Sequence, residues 1–358
     1  MLAFREGLPP LDAKAVHAAS PVADLHAHPG LVAHWLGRDL ANPFRPPRFG
    51  YGPLWQQLDL PRMIEGGLRV LTACAYTPTV PPFPPPFQGA QRQLDFAEAL
   101  CVRNPSLARV AKSRGEVAAA LREAKLAVIH AAEGGHHIER SLEKLEVLAA
   151  RGLRYLTLTH FVHNGLAQPA KLGPFTLLRG APGLTDLGRA VVKKCEDLGV
   201  LVDVTHCSDR SFADVAAVST RPLLATHVGF RRFFQTERNL SDEQARTVAK
   251  SGGVIGIISW SWLLKKRGLS AGVEEMADAV VHGALVAGAE HIGIGTDFDG
   301  FVWSARGMRE ARHYPRLTEA LSLRGFHEQE LRGILGGNYL RVLGEDPGSV
   351  GRAGYRPG

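Results

Sequence analysis

The chain reads as an α/β protein, a TIM-type (β/α)8 barrel. Three observations predict this. Eight short β-rich runs recur along the 358 residues. Longer segments of helical character separate them. The runs are near-continuously apolar, as parallel strands covered on both faces require. Eight such units fit a closed barrel better than an open sheet.

The runs follow in order. "VADLHAH" (22–28) and "LRVLTACAY" (68–76) come first, then "LAVIHAAEG" (126–134) and "LRYLTLTH" (153–160). "VLVDVTHC" (200–207), "PLLATHV" (222–228), "GGVIGIIS" (252–259) and "IGIGTDFDG" (292–300) complete the set. Amphipathic stretches such as "IERSLEKLEVLAARG" and "LTDLGRAVVKKCEDLG" lie between them. The second ends at Gly199, a helix stop just before its strand. Insertions at 29–66 and 77–92 follow the first two strands, the latter carrying "PTVPPFPPPFQG". Loops after barrel strands open onto the face where active sites lie, so these proline-rich segments are candidate pocket walls. No internal repeat or linker divides the chain, so residues 1–358 are expected to form one domain with a poorly ordered tail, "DPGSVGRAGYRPG".

Composition narrows the class of partner. The chain is 45% hydrophobic and 22% charged, with a net charge of +7 spread among acidic residues rather than gathered in a block. That disfavours nucleic acid as a ligand. No run approaches the ~18 apolar residues of a membrane span, and the first twenty residues lack the apolar core of a secretory signal. The four cysteines lie far apart with no CxxC pair, which predicts reduced thiols and a cytoplasmic location. Neither nucleic acid nor a membrane is an expected partner.

The polar residues gather at strand ends. Alternate residues of a strand share a face, so His26 and His28 point one way where the first apolar run stops. Glu133 ends the third run, His160 the fourth, His206 the fifth, His227 the sixth and Asp297 the eighth. Each alone has an ordinary reading as a core histidine, a turn cap or a loop acid. In a barrel all of them converge at one mouth. Imidazole suits borderline metals such as zinc, and a carboxylate can bridge two cations, so the set is a metallohydrolase inventory. Two neighbouring signals are weaker. Cys207 next to His206 reads as a buried apolar thiol, since adjacent strand residues face opposite ways. "HHIE" (136–139) reads as a loop in which His136 supports the site from behind.

The whole pattern resembles the membrane (renal) dipeptidase family of the amidohydrolase superfamily. The matching segments are "DLHAHPG", "LDLPRMIEGGLRV", "EGGH", "GLRYLTLTH", "GLTDLGRAVVKKCEDLGVLVDVTHCSD", "RPLLATHVGFR", "ERNLSDEQ", "IGIGTDFDG" and "GGNYLRV", in that order. The resemblance implies a two-zinc centre that hydrolyses dipeptides, usually in a homodimer. It assigns His26 and His28 to the first zinc, Glu133 to a bridge, and His206 with His227 to the second. It further implies that His160 meets the substrate carbonyl, Arg238 the terminal carboxylate, and Asp297 the proton in transit. An Arg fork suits a carboxylate, although a surface ion pair with Glu237 or Asp242 is the plainer role for Arg238. One departure stands out: the family pattern at the first strand is H-x-D, and His28 occupies the carboxylate's place. That adds one unit of positive charge and leaves one or two bound metals as alternatives, with manganese, iron or cobalt as options beside zinc. Two other functions stay open: a related hydrolase for another amide, an N-acyl amino acid or a lactone, and a metal-binding barrel without catalysis.

Overall fold

Nine parallel strands of one sheet surround the centre of the molecule in a computed structural model, which describes residues 11–44, 52, 55–80, 83–173, 176, 182–265 and 270–344. They are β1 (Ala23–Ala27), β2 (Val70–Ala75), β3 (Ala108–Val110), β4 (Leu126–Glu133) and β5 (Leu153–Thr157), then β6 (Leu201–Asp203), β7 (Leu223–Val228), β8 (Val254–Ile257) and β9 (Ile292–Ile294). The order is β1-β2-β4-β5-β6-β7-β8-β9, with β3 paired to β4 outside that path. The result is the nearly closed eight-stranded α/β barrel that the apolar runs predict. The tail expected to be poorly ordered and residues 45–51, 53–54 and 81–82 of the insertions lie outside the described residues.

Two features depart from the sequence reading. β3 was not among the eight expected runs. It pairs with Leu126–Val128 of the long strand β4, below His130 where the pairing with β5 begins, and so covers backbone that would otherwise be an open edge. The insertion at 77–92 is only partly a loop, because a helix, Pro86–Arg103, starts inside it. Proline is at home in a first helical turn, where no intrahelical acceptor awaits its missing N–H.

Closure relies on the segment just past β9. Asp297 N donates to His26 O at 2.9 Å and His28 N to Phe298 O at 2.8 Å. Asp24, fully buried, accepts from Thr296 N at 2.9 Å, Thr296 Oγ1 at 2.5 Å and Tyr314 Oη at 2.5 Å. Burial pushes its carboxyl up to about 6, despite those hydrogen bonds.

Three strands carry an extra residue: β5, between Leu153 and Tyr155 where it pairs with β4, and the two strands that hold His26 and His227. Asp24 to Ala27 of β1 spans three steps against two in β2, and Ala225 to Val228 of β7 spans three against two in β8. A bulge of this kind switches which side chains face inward. Leu25 and Leu224 belong to the barrel interior with Ile129, Tyr155, Val254 and Tyr339. Beyond the bulges in β1 and β7, His26 and His227 turn into the mouth above that layer.

Acid sensitivity follows from the buried imidazoles. His130, 1% exposed on β4, is pushed down to about 4 by burial, more than the neighbouring Glu98 charge restores. Its folded value lies below the unfolded one, so below pH 6.5 the unfolded chain binds a proton that the native chain resists, and stability falls. Between pH 7.5 and 5 this one group costs about 2 kcal/mol. In urea titrations at the two pH values, the difference in unfolding free energy should shrink by that amount in His130→Leu.

Candidate metal centre

Glu133, the last residue of β4, stands in the middle of the mouth with five imidazoles around it. Its Oε1 lies 3.1 Å from His206 Nε2, 3.1 Å from His227 Nε2 and 3.6 Å from His26 Nε2. Its Oε2 lies 3.5 Å from His28 Nε2 and 3.7 Å from His160 Nε2. His28 also reaches Asp297 Oδ1 at 3.2 Å. All of these residues are buried except His160, which is partly exposed to the cavity. His206 and Asp297 sit just past their strands with φ of +66° and +61°. Such left-handed backbone costs a non-glycine residue energy and collects at functional sites.

The donors suit a cation. His28 Nδ1 is 3.0 Å from Cys74 O, a pure acceptor, which leaves Nε2 toward the centre. Two ligands that share one zinc at about 2.0–2.1 Å each, at a right angle, sit about 3 Å apart. The His26–His28 and His206–His227 Nε2 separations are 3.0 and 3.1 Å. Neutral imidazoles are what a metal needs. Burial holds His26, His160, His206 and His227 well below the usual histidine range, with neighbouring cationic groups adding to the effect. Burial also lowers His28, but the Asp297 hydrogen bond and the Glu133 charge outweigh it and the net shift is upward. Glu133 is pushed up to about 8, chiefly by burial.

Arg238 lies in the same cavity and is 3% exposed, not paired at the surface. Its Nη2 donates to His227 O at 2.9 Å and sits 3.2 Å from His206 Nε2. Its Nε and Nη1 are buried with no hydrogen-bond partner among the described residues. The cavity measures about 400 Å³, and its remaining wall is largely apolar, including Leu31, Phe83, Phe161, Trp260 and Val302.

The sequence model of the membrane dipeptidase family (peptidase family M19) matches residues 11–347. The chain belongs to that family. Dipeptidase 3 of Mus musculus is 32% identical over 287 residues, 80% of this chain and 57% of that protein. Dipeptidase 3 of Homo sapiens is 32% identical over 254 residues, 71% of this chain and 51% of that one. This membrane dipeptidase family member thus spans about half the length of the curated relatives it matches. Its fold is that of the probable dipeptidase PvdM of Pseudomonas aeruginosa, at TM-score 0.81, 23% identity and coverage of 93% and 97% of the two chains. A metallopeptidase from Rhodobacter sphaeroides, solved with a phosphinate mimic of the dipeptide L-Ala-D-Ala, aligns at TM-score 0.77 and 26% identity, covering 90% and 98%.

The eight residues that the resemblance assigns to the site lie together at the mouth of this family member: His26, His28, Glu133, His160, His206, His227, Arg238 and Asp297. His136 stands one layer back, with Nε2 2.9 Å from Thr77 O and its ring 5.8 Å from that of Tyr76, which in turn lies 4.3 Å from the His160 ring. Cys207 is a buried thiol, as expected. Sequence reasoning passed over Cys74, whose sulfur falls within 4.8 Å of ligand atoms of His26 and His28. It also passed over Tyr76, Phe161 and Trp260 in the cavity wall. The signal was there to read, since Cys74 and Tyr76 close the second apolar run as histidines close the first.

The donor set predicts that zinc stabilises the fold. At a hundredfold excess over its Kd a ligand adds about 2.7 kcal/mol, so Tm in a thermal melt should rise by several degrees. Glu133→Gln, which keeps the shape and removes the central charge, should abolish most of that rise.

Proposed function

We propose that this chain is a metal-dependent dipeptidase that cleaves the amide next to a free carboxylate. The observation that carries this is Arg238: a buried guanidinium with two unpartnered nitrogens in the wall of the cavity that holds the donor cluster. Family membership and the metallopeptidase solved with a dipeptide mimic support the same reading. Two zinc ions would suit the centre: His26 and His28 would hold one, His206 and His227 the other, and Glu133 would serve both. Zinc would supply a water acidic enough to attack at neutral pH and would polarise the scissile carbonyl.

The chain's own groups do the rest. Arg238 clamps the terminal carboxylate through parallel N–H donors and so fixes the amide over Glu133. His160, partly exposed to the cavity, meets the carbonyl oxygen as negative charge develops on it. Asp297 takes the proton of the attacking water and returns it to the departing amine, as general acid–base catalysis requires. Burial pushes the Asp297 carboxyl upward, toward a range where both transfers are feasible, while the His28 hydrogen bond limits the shift. The relation between His28 and Asp297 in this centre is unlike that of a carboxylate ligand, because His28 brings no negative charge.

One observation favours a second reading, hydrolysis of N-acyl amino acids. Among the described residues the cavity wall offers two acids, Glu133 and Asp297, both committed to the centre, and so no separate partner for a free α-amine. A comparison of Ala-Leu with N-acetyl-Leu as substrates decides between them.

Arg238→Ala should raise KM at least tenfold for substrates with a terminal carboxylate and much less for their amides; unchanged dipeptide turnover would remove the basis for this assignment. The apolar wall predicts a preference among dipeptides. Those with two apolar side chains should exceed those with Lys, Arg, Asp or Glu side chains by tenfold or more in kcat/KM, since a charge buried without a partner is penalised by several kcal/mol.

A further inference from the structure

Beneath the histidines lies a hydrogen-bonded layer that none of the proposed steps uses. Five donors converge on the fully buried Asp203 carboxyl group. Oδ1 accepts from Thr205 N at 3.0 Å, Thr205 Oγ1 at 2.7 Å and Thr226 N at 3.0 Å. Oδ2 accepts from Thr157 Oγ1 at 2.6 Å and Thr226 Oγ1 at 2.7 Å. The Thr226 hydroxyl therefore spends its only proton on Asp203. What remains on its oxygen is two lone pairs.

Two imidazole nitrogens face that oxygen. His227 Nδ1 is 2.9 Å away and His26 Nδ1 is 3.2 Å away. Since the oxygen can only accept, both nitrogens must carry hydrogen. A neutral imidazole has one N–H, so Nε2 of each ring is left with its lone pair pointing at Glu133. His26 has a second lock: Tyr155 Oη, 2.8 Å from His26 Nδ1, gives its own proton to Leu25 O at 2.8 Å. Among the described residues, His227 Nδ1 has Thr226 alone. Thr226 and His227 are sequence neighbours, and only the bulge in β7 lets both face inward.

We propose that Thr226, acting from Asp203, is a positioning residue that fixes His227 and His26, both of which face Glu133 Oε1, in the tautomer able to bind a cation. One hydroxyl thereby prepares both halves of the centre. The inference rests on the metal reading above and adds to it a specific device. Without the lock, His227 is free to place its proton on Nε2, where it blocks the donor.

Thr226→Val keeps the shape and removes the hydroxyl; Thr226→Ser keeps the hydroxyl. Stepwise zinc affinities, measured by competition with a chelating indicator, should fall about 10- to 100-fold in Thr226→Val, the usual loss for a residue that orients a metal ligand, and return in Thr226→Ser. Nitrogen NMR of the histidine-labelled, metal-free protein at neutral pH gives a second readout. His227 should carry its hydrogen on Nδ1 in the wild type and the serine variant, and lose that preference with valine. Wild-type zinc affinity in Thr226→Val, or an unchanged His227 tautomer, overturns the proposal. A wild-type chain that takes up no zinc overturns the metal reading instead, and the tautomer comparison still decides the role of Thr226.

Discussion

A carboxylate surrounded by five imidazoles is the constraint on which the mouth of this barrel depends. Glu133 is 3% exposed, and among the described residues its ion-pair partners within 4 Å are five histidine nitrogens. In water such a carboxylate would be solvated; here its charge must be met by something the histidines hold in common. The same geometry that makes the group costly to bury makes it a strong donor set.

Holding that cluster takes more than five well-placed side chains. The strands deliver backbone positions; the bulges in β1 and β7 turn His26 and His227 toward the centre. Buried carboxyl groups then set the angles. Asp203 binds together β5, β6 and β7 through Thr157, its own neighbour Thr205, and Thr226. Asp24 plays the corresponding part where β1 meets the segment after β9. Beneath both, an apolar layer with Tyr155 and Tyr339 keeps water from below. The donors above are held in place because the carboxyl groups beneath them are buried and hydrogen-bonded.

Much of this was legible in the amino-acid order. All eight expected runs are strands of the barrel, since parallel strands buried on both faces must be apolar and cannot hide. The site histidines were visible because polar residues that end such runs are rare unless the mouth needs them. The bulges were not visible, for a shift of one residue leaves composition untouched and shows only in the pairing with a neighbour. β3 escaped because three residues, Ala108–Val110, are too few to establish a pattern. The role of Thr226 was hidden for another reason. A threonine in a β-strand is ordinary, and only the direction of its hydroxyl distinguishes it.

The seam between the first strand and the last has a consequence for how the protein comes into being. Asp24 and Thr296 are separated by 272 positions, yet their contact completes the ring and seats the backbone of His26. A ribosome has finished the first histidine pair long before it makes the segment that pins them. The donor cluster is thus completed late in synthesis, and a nascent chain halted short of residue 298 lacks a backbone partner for His28.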